Sequence, residues 1–181
     1  MEEEAISQLT FDFLEDCVNK GGLCYVEARF SPHLLAGDRL TPEETLKTVL
    51  NAVELGSKTF DIHAQIILCM MRHKPEWSSE VVQFAERYQT FGVCAVDVAG
   101  DDTPCDGTNT ADEIKMAFNE AFKLNIHRVA HAGVDGVAAS VTEVIKEMHA
   151  ERIGHGYRVL DDPIVYKMIR EENVHLEVSS L

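Results

Sequence analysis

No apolar run in this 181-residue chain approaches the roughly 20 residues that a membrane-spanning helix needs. Cysteine pairs at metal-ribbon or redox spacing are missing too. Cys17, Cys24, Cys69, Cys94 and Cys105 contain no C-x-x-C. Their number is odd and three sit in apolar runs, so reduced core thiols are expected rather than a disulfide framework. Positive charge is scarce, with 16 Lys and Arg against 31 Asp and Glu for a net −15. That balance lacks the basic footprint of a nucleic-acid binder and disfavours an anionic membrane surface. The first residues, MEEEAISQLTF, are acidic and do not read as a signal or transit peptide. With the reduced cysteines, they make a cytoplasmic protein the expectation.

What is present is a regular alternation. Residues 2–19 have Ile6, Leu9, Phe13 and Cys17 at helical spacing, stopped by Gly21 and Gly22. LCYVEARF (23–30) reads as a strand. Thr41, Pro42 and Glu44 spell a capping box with proline at the first helical position. Strands follow at 62–72, 91–100, 127–133, 152–159 and 174–180. Helices fall between them. Thr110 with Glu113, and Ser140 with Glu143, form two further candidate boxes, and Asp162 caps a helix beginning at Pro163. The strand cores are nearly continuous in apolar residues, as in parallel strands buried on both faces. The chain thus reads as one α/β domain over 1–181, with six βα units and a parallel sheet. Two architectures stay open, a doubly wound sheet and part of an eight-stranded barrel. No glycine-rich phosphate fingerprint follows a strand, which weakens the dinucleotide-binding form of the first.

Either architecture does its chemistry at the C-terminal ends of the strands. There lie Arg29, Ser31 and His33; Arg72 and His73; Asp97, Gly100, Asp101 and Asp102; His131; His155; and Ser179 and Ser180. His131 ends an apolar strand, with Gly133 allowing close approach, and is the best candidate metal ligand. Its spacing alone fits a buried histidine bonded to a carbonyl at least as well. His155, in IGHGY, reads as a pocket histidine or a turn residue. Gly100 in VAGDD offers a backbone N–H to a ligand or simply makes a turn. His33, His63, His73, His127, His149 and His175 read as structural or exposed, and Trp77 and the methionines as packing.

Several segments together resemble one family. YVEARFSPHLL, ILCMMRHKPEWS, AVDVAGDD, HRVAHAG and ERIGHGYRVLDD are similar, in order and spacing, to the adenosine deaminases of purine metabolism. The resemblance runs from about residue 5 to about residue 178. It implies a partial (β/α)8 TIM barrel, with about six of the eight units here. It also implies zinc-dependent hydrolytic deamination of adenosine and 2′-deoxyadenosine to the inosines. By that resemblance His131 matches a zinc ligand. His155 matches the histidine that orients the attacking water, and Gly100 the glycine whose N–H meets the purine ring. Zinc would lower the pKa of its bound water from far above the physiological range to ~7.

The departures from the family pattern carry their own expectations. The motif His-Ala-Gly-Glu ends here on Val134, which has no proton to give. Asp135 follows, and strand alternation would point it the other way. The family's His-x-His pair is not found. The Asp161–Asp162 pair precedes a helix rather than following a last strand. His131 is then the single family zinc ligand present, whereas catalytic zinc normally takes three. Weak or absent zinc binding and an impaired or inactive chain are expected, as for a truncated or spliced product. A non-catalytic binding or regulatory fragment is the alternative from another class, and an unrelated open α/β protein a third. Open sheet edges at 23–30 and 174–180 lead us to expect self-association.

Overall fold

The computed structural model describes residues 2–102 and 110–178. The chain forms two compact units, Met1–Cys69 with Arg87–Cys94, and Met70–Glu86 with Ala95–Leu181.

In the first unit, α1 (Glu3–Asn19) buries Ile6, Leu14 and Cys17 on one face and starts with Glu3 and Glu4, whose charge suits a helix N-terminus. It packs on α3 (Pro42–Phe60), which begins with the expected box: Thr41 Oγ1 accepts from the Glu44 N–H, and the Glu44 carboxylate accepts from the Thr41 N–H. The helices meet closely because Gly56 has no side chain. A Cβ there would lie 2.6 Å from Leu14 Cδ1. Between them run β1 (Tyr25–Phe30) and a short helix, α2 (Pro32–Ala36), and after α3 comes β2 (His63–Met71). The sequence pattern did not show α2.

The chain continues with α4 (Ser78–Tyr88) and β3 (Val93–Ala99), each divided between the two units, and then, in the second unit, α5 (Asp112–Lys123), β4 (His127–Ala132), α6 (Ala138–Lys146), β5 (Arg152–His155), α7 (Pro163–Glu171) and β6 (His175–Glu177). The strands hydrogen-bond in the order β1-β2-β3-β4-β5-β6. The pairs β1–β2, β3–β4, β4–β5 and β5–β6 are parallel. A doubly wound sheet reverses its strand order at a switch point. This order never reverses, so the connectivity is that of consecutive units of a parallel (β/α) barrel. The inner strands β2, β3 and β4 are largely buried, whereas β1 and β6 are only half-buried.

Several boundaries differ from expectation. The strand expected over 152–159 stops at His155, because Gly156 has a φ of 72° and a 3-10 turn follows over Tyr157–Asp161. The last strand spans His175–Glu177 rather than 174–180, and Ser179 and Ser180 lie outside the described residues. Two of the three capping boxes do not form. The N-cap of α5 is Ala111 and that of α6 is Val137, neither with a side-chain cap. Thr110 and Glu143 bond to each other instead, and Ser140 lies inside α6. The cap on α7 holds: Asp162 accepts from the N–H groups of Ile164 and Val165. Cys17 and Cys69 are buried thiols as expected, while Cys24 is exposed. Cys105 lies outside the described residues.

Candidate active site

The ends of β2, β3, β4 and β5 in the second unit assemble one cluster. His131, near the end of β4, sets Nδ1 3.1 Å from Asp97 Oδ1 and 2.9 Å from Oδ2. Asp97 lies on β3 and is 0% exposed. The carboxylate therefore holds the Nδ1–H form of the ring and leaves the Nε2 lone pair outward, as in carboxylate-backed metal histidines. His131 is thus bonded to a buried carboxylate rather than to a backbone carbonyl.

Gly154 makes room for that ring. It pairs with His131 across the β4–β5 ladder. A Cβ on it would stand 2.8 Å from the ring's Cδ2 and 3.0 Å from its Nε2. His155 pairs with Ala132, so a regular pleat would send it to the opposite face. Its φ of 67° breaks the pleat. The two histidine rings come to 5.4 Å between centroids, tilted by 58°. Nδ1 of His155 also lies 3.3 Å from the Tyr157 hydroxyl.

Arg72, just past β2, joins the strand ends. Its guanidinium donates to the His131 carbonyl at 2.8 Å and to Thr110 Oγ1 at 2.9 Å. Burial pushes its pKa down, against the fields of Asp102, Glu143, Asp97 and Asp101. Thr110 in turn bonds the buried Glu143, which pairs with Lys115 at 2.7 Å. Gly100 follows β3 with a φ of 108°, a conformation that favours glycine, and a Cβ on it would lie 3.5 Å from the Arg72 Cβ. It is exposed, as is Asp101, whereas Asp102 is buried.

Asp102 gives the segment from Gly133 to Gly136 its shape. Its carboxylate accepts from all four N–H groups of that segment. Burial alone would raise its pKa, but these bonds outweigh burial and lower it. Residues 134 and 135 are therefore not successive strand positions, and alternation does not govern them. Val134 is half-buried, and the side chain of Asp135 is exposed.

The structure thus brings His131 and His155 together and places Gly100 against Arg72, which grips the His131 backbone. Composition and spacing gave no sign of the roles of Asp102, Arg72 and Gly154. Each acts on residues far away in the chain. Of the other histidines, His33 lies in α2, His127 pairs with Glu151, His149 stacks on Phe122, His63 stacks on Tyr25, and His73 and His175 are exposed.

Solved structures share the fold. An adenine deaminase from Arthrobacter aurescens superposes with a TM-score of 0.82 at 22% identity, over 96% of this chain and 52% of that one. An amidohydrolase from Burkholderia ambifaria, whose structure has bound zinc, gives 0.83 at 15% identity, over 97% and 48%. The fold is therefore that of about half of the parallel (β/α) barrels in those structures. The family follows from sequence. The adenosine deaminase family model matches residues 1–181. The adenosine deaminase of Xenopus laevis is 40% identical over 98% of this chain and 52% of its own length. That of Bos taurus is 39% identical over 97% and 51%. The chain belongs to the adenosine deaminase family, and it spans about half the length of the curated relatives it matches.

The residues present fit only part of a metal site. His131 offers one imidazole nitrogen, correctly backed by Asp97. No group of three or more His, Cys, Asp or Glu that could hold a metal occurs among the described residues, and a catalytic zinc takes three protein ligands.

Proposed function

We propose that this chain carries the β2–β5 part of an adenosine deaminase site, for hydrolytic deamination of adenosine and 2′-deoxyadenosine. The observation that supports it best is the Asp97–His131 pair beside His155, in a chain that matches the family throughout. In this reading His131 would hold the metal through its Nε2, and the metal when bound would activate the attacking water. His155 holds the attacking water, placed for it by the turn in its own backbone. Gly100 gives its N–H to the purine ring. Asp97 fixes the tautomer and direction of His131 and does not touch substrate.

Deamination also needs an acid to protonate the ring nitrogen, a contribution of roughly 10²–10⁴-fold. Val134 has no such group, and the exposed side chain of Asp135 is no replacement. We therefore propose that the chain by itself is severely impaired and binds zinc weakly. Val134 is also the observation that favours the second reading, a non-catalytic binding or regulatory role. The four free thiols among the described residues support a cytoplasmic setting, which cell fractionation would test.

The experiment is adenosine turnover by the purified chain with added zinc, followed by ultraviolet absorbance, beside a full-length Bos taurus relative carrying valine at the position that aligns with Val134. No turnover is expected from the chain, and a fall of roughly 10²–10⁴-fold with retained zinc from the relative. Near-normal turnover by that variant would remove the acid role from position 134. Turnover by the chain that H131A abolishes would overturn its impairment.

A further inference from the structure

We propose that Asp102 is a positioning residue: its one carboxylate ties the loop after β3 to the loop after β4 and sets the direction in which residue 134 leaves the backbone. The inference rests on the reading of position 134 given above, but its test does not.

The geometry is unusually complete. Oδ2 of Asp102 accepts from the Gly133 N–H at 2.6 Å and the Val134 N–H at 3.3 Å, with Ser140 Oγ at 3.2 Å. Oδ1 accepts from the N–H groups of Asp135 at 3.0 Å and Gly136 at 2.9 Å. Successive N–H groups wrapped around an anion form a nest, and only an ionised carboxylate offers enough acceptor sites for them. Two glycines shape the wrap. Gly133 has a φ of 66°. A Cβ on Gly136 would lie 2.5 Å from the Asp102 carbonyl oxygen. The sequence HAGVDG thus encloses a carboxylate that lies 31 to 34 positions earlier.

The carbonyl side of the same segment is held as well. Arg72 holds the His131 carbonyl. The Arg158 N–H donates to the Gly133 carbonyl at 3.0 Å, and its Nε to the Val134 carbonyl at 3.3 Å. Both backbone polar groups of residue 134 are therefore fixed, and the direction of its Cβ is fixed with them whatever side chain it bears. Asp102 also follows Gly100 by two positions, so the proposed purine contact and position 134 share one anchor.

The test is amide hydrogen exchange and chemical shift by NMR on the purified chain. Slow exchange and downfield amide protons are expected for Gly133, Asp135 and Gly136. D102N keeps the shape but loses the charge and replaces one of the two acceptor oxygens by an NH2 donor. It should speed exchange of these amides by ~10–100-fold while Val129 and Ala130 in β4 keep their rates. G136A, which crowds the same carboxylate from the other side, should release the same amides. In a V134E background, adding D102N should move the chemical shift of the introduced carboxyl group, which a general loss of stability would not do selectively. Unprotected loop amides in the wild type, unchanged exchange in D102N, or an unmoved carboxyl shift would each overturn the proposal. None of these reads turnover, so they stand apart from the deaminase reading.

Discussion

Replacing Gly154 by alanine should disturb the site through a single methyl group. The added Cβ would meet the His131 ring at 2.8 Å, 2.9 Å and 3.0 Å from Cδ2, Cγ and Nε2. The ring has little freedom to yield, because Nδ1 is held by a carboxylate that is 0% exposed. Two responses are open. If the ring stays, the overpacking costs about 1–3 kcal/mol. If it swings away, the strain goes but the charge-assisted bond to Asp97 is lost, at about 1.5–3 kcal/mol. These are alternatives and do not add. Alanine restricts the unfolded chain and returns about 0.4–1 kcal/mol. The net loss then spans about 0.5–2.5 kcal/mol, or roughly 1–10 °C in Tm for a chain of this size. Denaturant unfolding and thermal melts measure the loss, and the His131 ring resonances report which response occurs. A G154A variant within 0.5 kcal/mol of wild type and with unshifted His131 resonances would refute the close packing of ring on backbone.

Three other outcomes are expected. T41A should lose the capping box of α3 and about 1 kcal/mol of stability in urea unfolding, whereas no loss would mean that Glu44 and Pro42 start the helix unaided. Asp102 has its pKa lowered in the folded state, so its contribution is full above the unfolded aspartate value of about 3.9 and lost as pH falls through the folded value. The stability gap between wild type and D102N should therefore be widest near neutrality and close in acid, and a gap independent of pH contradicts this. Among the described residues β1 and β6 each have one strand neighbour, and such edges recruit other chains. Light scattering should show oligomers, and a sharp monomer at roughly 0.1 M salt, where charge repulsion is screened beyond ~10 Å, would count against it.

The βα alternation was legible because its signals are local. The apolar runs of β2, β3 and β4 and the caps at Thr41 and Asp162 act within a few residues. The same local grammar failed at Thr110–Glu113 and Ser140–Glu143. There the side chains serve a buried network instead: Thr110 lies between Arg72 and Glu143, and Ser140 against Asp102. A Ser-x-x-Glu pattern cannot reveal that a more demanding partner 33 or 38 positions away will claim its residues. The site followed the same division. His131 and His155 were visible as strand-end histidines. That they would face each other depended on one left-handed φ at His155, which pleat alternation argues against. Asp97 stood out as a strand-end acid, but its bond to His131 is set by the register of β3 and β4, which no short motif encodes.

Which nitrogen His131 presents outward can be read directly. Long-range nitrogen–proton correlation spectra of the isotope-labelled chain, at mildly alkaline pH, distinguish the two neutral tautomers. The prediction is a proton on Nδ1, directed at Asp97, and a bare Nε2 whose resonance is the His131 signal that shifts when zinc is added. A proton on Nε2, with Nδ1 bare, would contradict the pairing with Asp97 and with it the assignment of His131 as the metal-facing group.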